Sequence, residues 1–331
     1  MLAHTSAAMK DDWLIADIGA TNARFARVRG GSMKKVLLPT TGYTRADALL
    51  DAAMAELGMD TAAAACMAIA GPVTGGSGYI TNLGIEFDPV NLTGRLGCEV
   101  LIVNDFHALA HAVPWLERLH QLGGSAVSEP GAVRALLGPG SGLGMSVLVP
   151  PNGTSKTAAD DWRVLDSEGG HADIAPGNPL ESEVLNLLPR IAGSVCWEAI
   201  LSGPGLVNLY RCICEIWGAQ PDALAPADVT RLGVSVSDPI CHQTLELFFA
   251  WLGTAAGNLA LTVCARGGVY IGGGIVPALV DFAQTSALRR RFDERCSHQD
   301  FVPAIPLYII LDDDPGLLGA RVCLEKRLAA R

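Results

Sequence analysis

An apolar segment interrupted by a glycine turn is the feature of this sequence that most constrains its fold. Residues 13–18 are apolar apart from Asp17, Gly19-Ala-Thr-Asn22 follows, and alternating character resumes at 24–28, which predicts a β-hairpin. The next predicted elements are a strand at 35–38, a helix at 45–57, a strand at 65–70, a short helix opened by Asp88-Pro89, and a strand at 99–103. The order βββαβαβ predicts an α/β domain.

A similar order begins again after residue 140. The predicted elements are strands at 145–149, 268–271 and 307–310, helices at 180–188, 206–217 and 243–263, a helix opening at 277–283, and a final helix from Pro315. A chain of 331 residues with 50% hydrophobic content can form two cores. We therefore expect a duplicated α/β fold with a cleft between two domains, a small one of residues 12–114 plus 315–331 and a large one of 115–314.

Composition excludes several classes of partner. With 34 acidic against 24 basic residues and no basic stripe, nucleic-acid binding is disfavoured. The nine cysteines lack paired CxxC clusters and indicate a reducing compartment. Residues 1–12 resemble a loose tail rather than a signal peptide, and apolar stretches are interrupted before the about 20 residues that a membrane span needs. We expect a cytoplasmic protein without a membrane partner, and an exposed loop at 150–161.

Two glycine-rich turns are candidates for phosphate binding. Asp17-Ile-Gly-Ala-Thr21 and Gly138-Pro-Gly-Ser-Gly-Leu-Gly144 both lie in strand contexts, where backbone N–H groups can point at phosphate oxygens. Neither is a Walker A loop or a G-x-G-x-x-G turn before a helix. Asp17 is placed to hold a hydrated Mg²⁺, and the hydroxyls of Thr21 and Ser141 can bond phosphates. Each turn alone is equally consistent with a hairpin that binds nothing.

A third glycine cluster, Gly272-Gly-Gly274, follows the strand ending at Ile271. Its backbone would let a nucleotide base and ribose lie flat against it. Taken alone, this cluster is a turn.

Asn104-Asp105 is the candidate site for the hydroxyl group that accepts the phosphoryl group. It ends a predicted strand, and ligands of open α/β sheets gather at the carboxyl ends of strands. An aspartate there can orient an attacking hydroxyl and accept its proton, although the same residue could merely cap a helix beginning at Phe106. Glu168-Gly-Gly-His171 suits neighbouring sugar hydroxyls, with a surface turn as the alternative, and a role for Glu198 depends on these partners.

His107 and His111 stand four residues apart on a predicted helix. The sequence His-Ala-Leu-Ala-His lacks the glutamate of a zincin motif, so a metal pair is not expected. We interpret both as helix-surface or interface histidines.

Taken together, seven motifs closely resemble the bacterial-type glucokinase family, in order along nearly the whole chain. They are Leu14-Ile-Ala-Asp-Ile-Gly-Ala-Thr-Asn-Ala-Arg24, Ile102-Val-Asn-Asp-Phe106, Gly138-Pro-Gly-Ser-Gly-Leu-Gly144, Glu168-Gly-Gly-His171, Leu201-Ser-Gly-Pro-Gly-Leu-Val-Asn-Leu-Tyr210, Gly272-Gly-Gly-Ile-Val-Pro277 and Asp314-Pro-Gly-Leu-Leu-Gly319. The resemblance implies the actin-like sugar kinase fold, ATP and Mg²⁺ as donor and cofactor, and transfer to the 6-hydroxyl of glucose at the entry to glycolysis. The family is commonly homodimeric.

The resemblance also implies roles for individual residues. Asp105 corresponds to the catalytic base. The expected sugar ligands are Asn104, Asp105, Glu168, His171 and Glu198. The expected nucleotide and phosphate contacts are Asp17, which also binds Mg²⁺ through water, with Gly19, Thr21, Asn22, Gly140, Ser141, Gly142, Gly144, Gly273 and Gly274.

The chain departs from the family in three places, one of which is the loop at 150–161, expected to be longer than is usual in the family. After Thr81-Asn82 the family usually continues with His and Trp, whereas this chain has Leu83-Gly-Ile-Glu-Phe87, and Ser141 replaces the usual threonine. The zinc motif of the related repressor/sugar-kinase family is missing, as is any helix-turn-helix ahead of Asp17. Alternatives left open are a kinase for fructose, mannose or an N-acetylated amino sugar, a non-catalytic sugar sensor, an actin-like filament former, and ADP or polyphosphate as donor.

Overall fold

The computed structural model describes residues 12–125, 128–151, 162–295 and 300–331. These residues form two compact units. Unit 1 extends to Glu117 and resumes at Asp312–Arg331, and unit 2 is Arg118–Leu311. The sequence prediction put the corresponding boundaries at 114 and 315. The predicted loop at 150–161 lies outside the described residues from 152 onward, as does the predicted tail up to residue 11.

Short strands and helices alternate along most of the chain. The strands are β1 (Trp13–Ile18), β2 (Asn22–Arg29), β3 (Ser32–Pro39), β4 (Ala64–Ile69), β5 (Val73–Thr74), β6 (Ser77–Ile80), β7 (Ile85–Phe87), β8 (Val100–Asn104), β9 (Leu119–Gln121), β10 (Arg134–Pro139), β11 (Leu143–Val149), β12 (Arg163–Ser167), β13 (Val269–Ile271) and β14 (Leu307–Ile310). The helices are α1 (Ala46–Leu57), α2 (Pro89–Leu96), α3 (Asp105–Ala112), α4 (Pro179–Ala192), α5 (Gly203–Ile216), α6 (Pro226–Val234), α7 (Pro239–Val263), α8 (Val280–Thr285), α9 (Leu288–Asp293), α10 (Phe301–Ala304) and α11 (Pro315–Ala329).

Unit 1 is built on a sheet with the strand order β3-β2-β1-β4-β8. β1 is antiparallel to β2, whereas β1, β4 and β8 run parallel. Side chains alternate along β1, so Leu14 packs in one core with α1, and Ile15 packs in the core on the opposite face with α11. This arrangement brings the carboxyl ends of three parallel strands to one edge.

Unit 2 contains a sheet with the order β12-β11-β10-β13-β14-β9. Its first five strands repeat the order and directions of the unit 1 sheet, because β10–β12 form an antiparallel meander and β13 and β14 continue parallel to β10. β9 adds an antiparallel edge strand. The repeated topology agrees with the duplication expected from the sequence.

Helix α7 corrects the expectation that apolar stretches are interrupted before they could span a bilayer. By length and composition alone it is the one helix among the described residues that could cross a membrane. It is also the core helix of unit 2, since Phe248, Phe249 and Trp251 are fully buried there. Gly253 and Gly257 lie within this continuous helix. Their lack of a side chain leaves room for Leu288 and Arg295 to pack closely against it. This helix is therefore weak support for a membrane location.

The segment at 83–87, which departs from the family pattern, contributes to the core of unit 1. Its residues form a turn and β7, which pairs with β6 in a small sheet that the sequence did not predict. Ile85 and Phe87 are buried, and Leu83 packs against the same core. The departure is thus accommodated by apolar packing.

Candidate active site

Three polar residues lie at the carboxyl edge of the unit 1 sheet. Asp17 is the penultimate residue of β1, Asn104 ends β8, and Asp105 begins α3. The register aligns Asp17 with Ala68 of β4, and the next β4 residue, Ile69, with Asn104. The structure therefore brings together the two aspartates that the sequence assigned to one site.

Asn104, rather than Asp105, caps α3. Its Oδ1 accepts hydrogen bonds from the backbone N–H groups of Phe106 at 2.9 Å and His107 at 3.1 Å. Its Nδ2 donates to the carbonyl of Gly71 at 3.1 Å. The alternative in which Asp105 caps a helix beginning at Phe106 is wrong, because the helix begins one residue earlier. The cap positions Asp105, and a side-chain hydrogen bond from Asn104 opposes the rise in the pKa of the Asp105 carboxyl group.

The carboxyl group of Asp105 is easier to protonate than an ordinary aspartate. Burial, together with the nearby negative charge of Asp17, raises its pKa to about 7, although N–H donors at the start of the helix oppose the shift. Burial also raises the pKa of Asp17, whose charge is favoured by Arg24 and disfavoured by Asp314. The carboxylate of Asp105 can therefore accept a proton near neutral pH.

Asp314 is a neighbour of Asp17 that residue-level reasoning did not assign to the site. Its carboxylate lies 3.4 Å from Arg24 and 2.6 Å from Lys35. The backbone of α11 also comes close, because a β-carbon on Gly316 would collide with the carboxylate of Asp17. The sequence feature that could have indicated Asp314 is its position directly before Pro315, which opens a predicted helix.

The turn after β1 is held by a buried threonine. Gly19 donates its N–H to the carbonyl of Asn22 at 2.9 Å, which closes the turn. Thr40 donates its hydroxyl to the carbonyl of Gly19 at 2.8 Å and its N–H to that of Thr21 at 2.9 Å. Thr21 and Asn22 are exposed, so their side chains can contact a ligand. Thr40 lies 18 or more residues away in sequence, and nothing in the sequence indicated this role.

The two glycine clusters of unit 2 lie against each other. β10 and β13 are parallel neighbours, and the turn at 140–142 and the cluster at 272–274 follow their carboxyl ends. A β-carbon on Gly138 would lie 2.6 Å from the carbonyl carbon of Gly272, and Gly273 adopts a φ of +80°. Ser141 is exposed at the turn. The structure thus joins two motifs that sequence reasoning considered separately, with Gly140, Gly142, Gly144, Gly273 and Gly274 all in this region.

Glu198 lies against the same glycine turn. Its Oε2 accepts the backbone N–H of Leu143 at 2.8 Å, and a β-carbon on Gly142 would collide with this carboxylate. Gly203 donates its N–H to the carbonyl of Gly140 at 2.8 Å, which fixes the other side of the turn. The contact between Glu198 and the phosphate-loop candidate was not predicted.

Glu168 and His171 flank a single 3₁₀ turn. Glu168 Oε2 and His171 Nε2 are 3.9 Å apart, and both side chains are exposed. The backbone after this turn joins the segment that carries Glu198, because Trp197 donates its N–H to the carbonyl of Ala172 at 3.1 Å. These polar groups are accessible for hydrogen bonds to hydroxyls.

Of the two interpretations, helix surface or interface, the surface one is wrong for His111, which is only 9% exposed. Burial and the neighbouring charges of Lys326 and His107 lower its pKa to about 3. His107 is half-buried, and the two rings are 5.0 Å apart. The helix face that carries them packs against α11 rather than facing solvent.

The whole chain is similar to proteins of one family. A family model described as glucokinase matches residues 14–327. The chain is 42% identical to the glucokinase of Chromobacterium violaceum over 98% of this chain and 93% of that protein. It is 39% identical to the glucokinase of Hahella chejuensis over 95% of this chain and 97% of that protein.

Solved structures show the same fold. The crystal structure of glucokinase from an Antarctic psychrotroph matches with a TM-score of 0.78 at 30% identity, covering 95% of this chain and 99% of that one. The glucokinase of Balamuthia mandrillaris, crystallised in complex with glucose, matches with a TM-score of 0.79 over 97% of this chain and 95% of that one. At 22% identity the latter supports the fold alone.

The fold and the family together define a hexose kinase with the actin-like sugar kinase fold, so the predicted fold class is confirmed. The chain belongs to the glucokinase family. The resemblance drawn from its motifs is thereby confirmed.

Proposed function

We propose that this chain transfers the γ-phosphoryl group of ATP to the 6-hydroxyl of glucose, with Asp105 as the general base. The observation that most supports this proposal is the position and acidity of Asp105. The Asn104 cap holds it at the start of α3, and the pKa of its carboxyl group is raised to about 7. Such a group can accept a hydroxyl proton at neutral pH. The glucokinases of Chromobacterium violaceum and Hahella chejuensis, which are 42% and 39% identical to this chain, support glucose as the substrate.

Asp105 orients the attacking hydroxyl and receives its proton as the new O–P bond forms. The transition state of phosphoryl transfer is loose, so positioning matters more than basic strength. Asn104 keeps the carboxylate in place through the helix cap. The family resemblance implies that Asn104 is also a sugar ligand. Glu168, His171 and Glu198 supply further hydrogen-bonding groups for the sugar.

The acidic residues of unit 1 fit Mg²⁺. The charge of Asp314 raises the pKa of Asp17, and the charge of Asp17 raises the pKa of Asp105, so the charges of the three carboxyl groups interact. Oxygen donors are the ligands that Mg²⁺ prefers, usually with several waters retained. Asp17 would hold the ion through water, and the bound ion would neutralise charge on the phosphate oxygens.

The glycine turns fit the nucleotide. The half-buried backbone of Gly140, Gly142 and Gly144, with the exposed hydroxyl of Ser141, is suited to phosphate oxygens. So are Gly19, Thr21 and Asn22 in unit 1. Gly273 and Gly274 are exposed, and without side chains they leave room for the base and ribose. Glu198 fixes the end of the turn by accepting the N–H of Leu143.

Glu168→Gln is expected to raise the KM for glucose at least about tenfold with a smaller effect on kcat, because a charged acceptor for a sugar hydroxyl is lost. Steady-state assays at saturating MgATP measure both constants. Glu183→Gln, at an exposed position of α4, is the matched control and should behave as the wild type. An unchanged KM in Glu168→Gln would exclude Glu168 as a sugar ligand.

The pH dependence of kcat/KM for glucose should report the ionisation of Asp105. Because the base must be deprotonated, activity rises about tenfold per pH unit below pH 7 and levels off above it. Rates at low concentrations of both glucose and MgATP, where the free enzyme predominates, provide the measurement. In Asp17→Asn the like charge is removed, so the inflection should move to lower pH even though activity falls. An inflection near pH 4 in the wild type would contradict a perturbed base.

We propose further that the enzyme works in the cytoplasm as a homodimer, as the family resemblance implies. Light scattering on the purified protein measures the oligomeric state. A monomer at all concentrations would reject the dimer without affecting the proposed reaction.

A further inference from the structure

A cluster of three metal-ligand side chains lies outside the proposed active site. His107 and His111 come from α3, and Cys323 comes from α11. We propose that these three side chains form a binding site for a thiophilic divalent metal ion such as Zn²⁺. None of the three is assigned to sugar, nucleotide or phosphate, so the proposed reaction does not itself require a metal ion here.

Helix geometry brings the three groups together. Residues four apart in a helix lie on one face, so both histidines face the same neighbour. α11 approaches α3 so closely that a β-carbon on Gly319 would collide with the carbonyl of Ala108. Cys323 lies one turn beyond Gly319 on the same face of α11. As a result one nitrogen of each histidine and the sulfur of Cys323 all lie within 4.8 Å of one another.

These distances are close to those of a bound ion. Zn²⁺ holds histidine nitrogens at about 2.1 Å and cysteine sulfur at about 2.3 Å, so tetrahedral ligand atoms are roughly 3.5 Å apart. Side-chain rotations that close the cluster by about 1 Å would complete three ligand positions. His111 and Cys323 are buried, whereas half-buried His107 leaves a route for the ion and for a water as fourth ligand.

Lys326 sets the strength of this site. Its Nζ lies 3.3 Å from Nδ1 of His111, so its positive charge opposes a cation at the cluster. The lysine side chain is long and half-buried, and can swing away when a metal binds. Metal affinity is therefore limited by a residue that is not a ligand, which gives the proposal a second, opposite test.

Cobalt titration of the full-length protein is the experiment. Co²⁺ replaces Zn²⁺ in N/S sites, and a cysteine ligand gives a near-ultraviolet thiolate-to-cobalt charge-transfer band. The reducing agent is a phosphine, because dithiols bind these metals. The wild type is expected to take up one equivalent with this band, Zn²⁺ is expected to displace it, and either ion should raise Tm by binding the folded state.

Substitutions of the ligands and of Lys326 should change the metal affinity in opposite directions. Cys323→Ser should lose the charge-transfer band, and His107→Gln should weaken binding about tenfold or more. Lys326→Met should tighten it. Cys98→Ser, a half-buried cysteine of unit 1 outside the cluster, is the matched control and should titrate as the wild type.

Circular dichroism without metal checks that each variant folds, and half-buried His107 provides a substitution that does not disturb the core. Absence of the band in the wild type, or its persistence in Cys323→Ser, overturns the proposal. Equal affinity in wild type and His107→Gln also overturns it.

Discussion

Asp105→Asn is expected to lower kcat by a factor of about 10² to 10⁴ while the KM for glucose stays within a few-fold, because the variant keeps the size of the side chain but cannot accept a proton. The substitution preserves the Asn104 cap, which holds α3 through its own side chain. Single-turnover and steady-state assays with MgATP measure the loss. Asp60→Asn, at an exposed loop position, is the control and should retain full activity.

The same variant should be more stable than the wild type, and increasingly so as pH rises. The folded state raises the pKa of Asp105 from 3.8 to about 7, so the folded wild type binds a proton more tightly than the unfolded chain does. The wild type therefore loses stability as pH rises between about 4 and 7, and asparagine does not. The Tm difference should be small at pH 4 and level off above pH 7. Near-normal turnover, or a stability difference independent of pH, would contradict the role and environment assigned to Asp105.

Arg291→Met is expected to lower the free energy of unfolding by about 3–5 kcal/mol, because it leaves the buried carboxylate of Glu181 without its cation. Glu181 is fully buried, and its Oε1 receives a hydrogen bond from Arg291 at 2.5 Å. The backbone N–H of Gly177 at 2.6 Å and the amide of Asn178 at 2.9 Å complete its partners. Denaturant unfolding measures the loss.

The neighbouring arginine provides the matched control. Arg290 pairs with Glu294 at 3.0 Å, but both side chains are more than half exposed, at 64% and 54%. Arg290→Met should therefore cost no more than about 1 kcal/mol. The double variant Glu181→Met/Arg291→Met should recover much of the loss, because no unpaired charge remains. Equal effects of the two single substitutions would show that burial of the Glu181 pair does not determine its contribution.

Periodicity predicted most of the elements around the site. The hairpin of β1 and β2 and the strand β14 follow from apolar patterns of five or more residues with clear glycine or proline boundaries. Asp88 was predicted as a helix cap, and its side chain does accept the N–H of Val90 at 3.0 Å. Local rules succeeded where the interaction itself is local.

Failures occurred where a distant partner decides the outcome. The short strands β5, β6 and β7 are stable only against one another and the unit 1 core, so their few residues carry no clear period. His111 resembled a surface residue because its pattern gives no sign that α11 covers it. The start of α7 is a local exception: the helix begins at Pro239, four residues before the predicted start, because the Asp238 side chain caps it.

The candidate site shows the same division. Asp17 and Asp105 were assigned to one site from strand ends alone, because parallel strands share a carboxyl edge. The contact of Glu198 with Leu143 joins residues 55 positions apart, and no local pattern specifies it. The raised pKa of Asp105 likewise depends on burial and on a charge from another strand. Residue types and strand ends indicated which groups take part, whereas the pKa of Asp105 could be obtained only from the folded structure.

A coupled assay of the purified protein with MgATP and a panel of hexoses tests the central claim most directly. ADP formation gives the rate, and ³¹P NMR of the product gives the position of the new phosphate. The proposed function predicts strong preference for glucose and a 6-phosphate product. Turnover of only another hexose would contradict glucose as the substrate, and absence of ADP formation with every sugar would contradict catalysis by this chain.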